Sequence, residues 1–104
     1  MILYNVTINI DASVENEWKA WMINTHIPDV LKTNCFIEAK LSRIHGEEDG
    51  GATYSIMYTA KTQDDINRYQ NSYSSRLQQE HTQKFQGKFA AFRTLLTVVE
   101  EFKV

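Results

Sequence analysis

What most constrains this chain is the order in which two hydrophobic periodicities follow one another. In ILYNVTINI (2–10) Tyr4, Val6, Ile8 and Ile10 point one way and Asn5, Thr7 and Asn9 the other. That period of two predicts a strand with one apolar face. The spacing then changes. Val14, Trp18, Trp21, Met22 and Thr25 recur at helical intervals, with Ser13 placed as an N-cap and Glu15 and Glu17 in the first turns, where the helix dipole favours acids. Alternation returns in CFIEAKLSRIH (35–45) and ATYSIMYTA (52–60). Between them GEEDGG (46–51) reads as a hairpin loop with a solvated acidic tip, Glu47–Asp49. A second helical stripe, Ile66, Tyr69, Tyr73 and Leu77, opens on TQDD (62–65), which resembles a capping box, and closes before Gly87. A last alternating run covers 89–102.

Two irregularities are expected. The only proline, Pro28, disfavours helical geometry at Ile27 and suits the first turn of a new helix, so HIPDVL (26–31) predicts a stop at His26, a corner, and a short helix that Asn34 closes in the left-handed conformation. In the second helical region Lys84 would fall on the apolar stripe of a straight helix, which predicts a break near Gln79–Thr82.

The order β-α-β-β-α-β predicts an α+β, ferredoxin-like fold: a four-stranded antiparallel sheet with two helices on one face. The chain is long enough for one domain, 1–104. The last strand is apolar on both faces, Phe92, Leu96 and Val98 against Leu95 and Val99. A two-layer domain with such a strand predicts a homodimer through the sheet face, with Leu95 and Val99 in the contact. A net charge of −2 and scattered Lys and Arg argue against a nucleic-acid partner. No apolar run approaches the roughly 20 residues of a membrane span, and the N-terminus lacks the basic start and cleavage site of a signal peptide. With the single Cys35, this points to a reducing cytoplasm.

Three pieces, HIPDVL, GGATYSIMYTA and KFAAFRTLL, carry a resemblance that extends over essentially the whole chain. The sequence resembles a small bacterial family, a domain of unknown function within the dimeric α/β-barrel superfamily. That resemblance implies a homodimer in which two four-stranded sheets face each other, helices outside, and it implies no activity. The wider superfamily includes cofactor-independent and haem-degrading monooxygenases, isomerases and mutarotases, so fold alone says little about chemistry. In the haem-degrading branch a histidine late in the second helix ligates iron, with an asparagine on the first strand and a tryptophan on the third. His81 and Asn5 match the first two; the third strand here carries Tyr54 and Tyr58 instead, so no haem and no other bound cofactor is expected.

The candidate site residues are weighed against plainer roles. His26 is a neutral-pH proton carrier beside Trp18 and Trp21, suited to a general base at a pocket mouth; the plainer role is a histidine at a helix C-terminus. Arg93 is a strand arginine flanked by apolar residues and needs a partner, which a ligand or a carboxylate supplies equally well. Asn5, with Thr7 and Asn9, offers donors to a ligand if its face looks inward, or hydrogen bonds across a dimer if it does not. Tyr58, Trp18 and Trp21 belong to an aromatic set that is mostly core. No metal site is expected, because His26, His45, His81 and Cys35 lie on different elements, and Cys35 has no basic neighbours to activate it. The reading that follows is a homodimer binding a small apolar or oxygenated molecule. The alternatives are a cofactor-independent monooxygenase or isomerase using His26, Arg93 and Tyr58, and a purely structural dimer.

Overall fold

The computed structural model describes residues 1–46 and 50–104; the expected acidic tip lies outside them. Its sheet is built from β1 (Ile2–Asp11), β2 (Glu38–Ile44), β3 (Gly51–Ala60) and β4 (Phe89–Thr97), in the order β2-β3-β1-β4 with every neighbour antiparallel. This is the ferredoxin-like order. Alternation sorts the side chains. Tyr4, Val6, Ile8 and Ile10 of β1 and Tyr54, Ile56 and Tyr58 of β3 are buried under the helices. The backbones of β1 and β3 approach so closely at Gly51 that a Cβ there would lie 2.5 Å from the Ile10 carbonyl oxygen, which only glycine tolerates.

The helical layer consists of α1 (Glu15–Trp21), a π-helical turn (Met22–His26), α2 (Ile27–Leu31), α3 (Gln63–Ser72) and α4 (Ser74–Lys84). Trp18, Met22, Val30, Ile66, Leu77 and Phe85 are fully buried against the sheet. Asp11, not Ser13, accepts at the start of the first helical region, taking the Ser13 N–H at 2.8 Å. Thr62 caps α3 through the Asp65 N–H, as TQDD predicts, and the Thr62 hydroxyl donates back to the Asp65 carboxylate. Asn34 and Gly87 take the left-handed conformations expected of them.

Both expected irregularities are resolved differently. The second helical region breaks at Tyr73, not at Gln79–Thr82: its φ of −130° ends α3, and the offset turns Leu77, His81 and Phe85 onto one buried stripe with Lys84 outside. At HIPDVL the chain does not stop. Ile27 keeps helical angles, φ −62° and ψ −45°, and its N–H reaches back to the Met22 carbonyl, five residues earlier. Proline has no N–H to give, and its ring crowds the carbonyl four residues before it; widening the preceding turn relieves both problems.

The open face of the sheet corrects a third expectation. Leu95 pairs with Tyr4 and so lies on the helix side, and Val99 lies beyond the end of β4. Apolar groups on the open face include Leu3, Ile44, Met57, Phe92 and Leu96, in register through Leu3–Leu96, Thr7–Phe92, Asn5–Met57 and Thr53–Ile44.

Candidate functional site

The π-helical turn decides where His26 goes. In a straight α-helix residues five apart sit about 140° apart around the axis, so Trp21 and His26 would diverge. The i to i+5 bonding of the π-turn brings such residues nearly into line. The imidazole of His26 accordingly stacks on the Trp21 indole, ring centroids 5.1 Å apart and planes 27° apart. From α4, His81 meets the same pair of rings, 5.8 Å from His26 and 5.9 Å from Trp21.

Between these rings and the sheet lies a cavity of about 30 Å³, room for roughly two water molecules. Val6, Ile8, Met22, Ile56 and Ala91 give it aliphatic walls; Tyr4, His26, Tyr58, Tyr69, Gln78, His81 and Arg93 bring polar groups to it. Three of the residues singled out in the sequence therefore meet here: His26, Tyr58 and Arg93. Trp18 and Trp21 stand behind the wall, Trp18 holding His81 and Trp21 holding His26. Asn5 does not join them. It lies on the open face, where its Nδ2 donates to Thr7 at 2.9 Å and its Oδ1 accepts from Ser55. Asn9 likewise donates to Thr53 at 3.0 Å, so the polar stripe of β1 is satisfied within its own sheet.

The two histidines differ in what they touch. The indole N–H of Trp18 donates to His81 Nε2 at 2.8 Å in the buried interior. An indole can only donate, so Nε2 is an acceptor and the His81 proton sits on Nδ1. Burial brings the His81 pKa down to about 4, with His26 and Arg93 pushing the same way. Burial also lowers the pKa of His26, against the opposite pull of Glu80 and Asp29. Both rings are therefore neutral at pH 7. Among the described residues, His26 Nδ1 is the one enclosed side-chain nitrogen or oxygen with no hydrogen-bond partner in the chain.

Arg93 is exposed at the rim, so water solvates it and the buried carboxylate that its apolar flanks suggested is not required. Its guanidinium and the Gln78 amide both bear on the Tyr4 hydroxyl, opposing the rise in Tyr4 pKa that burial causes. Burial likewise raises Tyr58 and Tyr69, so all three phenols stay protonated at neutral pH. Sequence reasoning missed Tyr4, Tyr69 and Gln78 as site residues. Tyr4 had a signal, since it shares a face with Val6, but linking it to Arg93 requires the β1–β4 register.

The donor set does not suit haem. His81 Nε2 is already bonded to Trp18, and Asn5 faces away from His81 across the sheet. Among the described residues no group of His, Cys, Asp and Glu is arranged to hold a metal ion, and no helix is long and apolar enough to cross a membrane.

Comparison with known proteins places the chain. Residues 1–99 match the domain of unknown function DUF4286, and the chain belongs to that family. Nothing among curated proteins matches the sequence. Among solved structures, it is similar to a dimeric ferredoxin-like protein from an uncultured marine organism, with TM-score 0.65 and 17% identity over 100% of both chains. It is also similar to a mutant of SnoaB, a cofactor-independent oxygenase from Streptomyces nogalater, with TM-score 0.67 and 11% identity over 96% of this chain and 95% of that one. A third likeness is to a MhuD mutant with manganese protoporphyrin IX bound, with TM-score 0.70 and 12% identity over 100% of both chains. At these identities the likenesses speak for the fold alone.

Proposed function

From that family membership and the pocket just described, we propose that the chain works as a cytoplasmic homodimer whose subunits each bind a small, partly oxygenated apolar molecule between sheet and helices, without a resident cofactor. The observation that carries the reading is convergence. His26, Arg93, Tyr4 and Gln78 reach one cavity with aliphatic walls from Val6, Ile8, Met22, Ile56 and Ala91, and His26 Nδ1 has no hydrogen-bond partner among the described residues. Cores satisfy their enclosed polar atoms, and binding sites place a few polar groups on apolar walls. A screen of small aromatic ketones, alcohols and acids by NMR tests it. Binding should move the signals of His26 and of Ala91 together; a folded protein that binds none of them at millimolar concentration leaves the structural-dimer reading in its place.

Leu3, Met57, Phe92 and Leu96 on the open face support the dimer, as does the likeness to the dimeric ferredoxin-like protein from a marine organism. Sedimentation should give a dimer at micromolar concentration. Leu96→Arg, which sets a charge among those groups, should weaken association by several kcal/mol, on the order of 3–5. A monomeric natural sequence ends this part of the reading.

A specific feature favours catalysis as a second reading. His26 is a neutral histidine that lines the pocket, and a neutral imidazole has one ring nitrogen able to accept a proton. The likeness to a cofactor-independent oxygenase lends the same direction. In this reading His26 takes a proton from an activated C–H or O–H of the substrate, while Tyr4 and Arg93 hold the oxygen that becomes negative. Hydrogen–deuterium exchange at the α-carbon of a bound ketone, lost in His26→Gln, tests it; exchange at the same rate in that variant removes His26 as the base.

A further inference from the structure

We infer that the natural ligand of this pocket is a small organic monoanion, whose carboxylate or enolate oxygens lie between Arg93, Tyr4 and Gln78 with the body of the molecule at the mouth beside Ala91 and His26. This rests on the pocket-binding reading above and names the ligand's charge and anchoring group. Four observations lead to it. Arg93 is the cationic residue of the lining, and among the described residues no carboxylate lines the cavity. The acids nearest the histidines are engaged elsewhere: Glu80 with Arg76 at 3.1 Å and Asp29 with Lys32 at 3.7 Å. The remaining polar lining, Tyr4, Tyr58, Tyr69, Gln78, His26 and His81, is neutral and includes hydroxyl and amide groups able to donate. Finally, the cavity is small, about 30 Å³, and a compact polar head group such as a carboxylate suits it.

The chemistry is that of a charge-assisted clamp. A guanidinium pairs with two oxygens at once, and the phenol and amide add donors to the same atoms. Water solvates Arg93 in the free protein, so an entering anion exchanges those waters for fixed donors. A neutral molecule of the same shape gains the walls but not the clamp. An enolate would be held in the same way, which is why a ligand acidic next to a carbonyl fits both this anchor and the His26 ring on the lining.

Benzoate and its neutral isostere benzamide separate the possibilities. NMR titration should show benzoate shifting the His26 ring and the Ala91 and Arg93 amides, with an affinity at least tenfold above that of benzamide. That advantage should shrink as salt is raised. Arg93→Met should remove it by lowering benzoate affinity about tenfold with benzamide unchanged, and Arg93→Lys should keep part of it. Arg93 is exposed on an edge strand, so both variants should fold, which their amide spectra check directly. Benzamide binding as tightly as benzoate, or benzoate indifferent to Arg93→Met, overturns the anion inference and leaves the binding pocket standing. Neither probe reaching the pocket of the folded protein overturns both.

Discussion

The π-helical turn and α4 each deliver one histidine to the same cavity, and the two are opposites. His81 is 5% exposed and has its Nε2 bonded to Trp18. His26 sits 5.8 Å away, stacked on Trp21, with an enclosed ring nitrogen that no described residue satisfies. One histidine is satisfied within the core; the other is half-buried, lines the cavity and keeps a covered, unpaired Nδ1. The difference comes from the backbone beneath each. A regular helix carries Leu77, His81 and Phe85 into the interior on one stripe, where a buried donor waits. The widened turn before Pro28 swings His26 onto Trp21, and aromatic stacking satisfies a ring's faces without satisfying its nitrogens.

The largest test of this contrast removes the group that makes His81 structural. Trp18 is fully buried, packs 5.0 Å from Tyr54 and donates to His81. Trp18→Ala opens a cavity and orphans Nε2 together, so denaturant melts should show a loss of about 3–5 kcal/mol. A loss under 1 kcal/mol would mean that His81 does not depend on Trp18. Next comes His81→Phe, which keeps a ring in place but leaves the Trp18 N–H buried and unpaired. Its expected cost is about 1–3 kcal/mol, read by the same melts, and a neutral result would put His81 back among the candidate site residues.

How far the sequence reveals this follows from which signals are local. Alternation and helical spacing are local, and the elements and their ferredoxin-like order follow from them. The sheet register is not local. Without it, alternation puts Leu95 on the open face and Tyr4 on an apolar strand face with no link to Arg93, although Tyr4, Val6 and Arg93 share one side of the sheet. Nor is the π-turn local in the ordinary sense. Pro28 announces a disturbance, but a stop and a widened turn relieve the same clash, and only packing of Trp21 against His81 and Phe85 distinguishes them. The break at Tyr73 was displaced for a related reason: the position of Lys84 signals that a break exists, while its location depends on which residue the sheet needs buried. Gln78 carries no sequence signal at all.

Acid sharpens the contrast next. An unfolded histidine titrates near its ordinary value of 6.5, whereas His81 in the fold titrates near 4, and His26 is lowered as well. Between those values the unfolded chain binds more protons than the folded one, so stability falls as pH drops. The contribution is fully present above pH 6.5 and is lost progressively towards pH 4. After allowing for residual solvent contact it is on the order of 1–2 kcal/mol. Thermal melts from pH 7 to pH 4 should show this loss beginning above the carboxylate range, and His81→Phe should flatten most of it. A stability profile level across that window would mean that the histidines are not held neutral by the fold.

The smallest expected effect is also the one with the unusual sign. His26→Phe removes an enclosed nitrogen that has no partner and keeps a flat ring on Trp21. An unsatisfied buried polar group is a cost that the native fold carries, so deleting it should stabilise the protein by about 0.5–1 kcal/mol and raise Tm by roughly 3–6 °C. The same change takes both ring nitrogens from a residue that lines the cavity, so under the proposed function binding or exchange activity should fall while stability rises. Stability and function separate in this way where a residue is kept for what it does rather than for what it holds together. If His26→Phe instead costs more than about 1 kcal/mol, His26 is a structural residue like His81, and the pocket loses its proton acceptor.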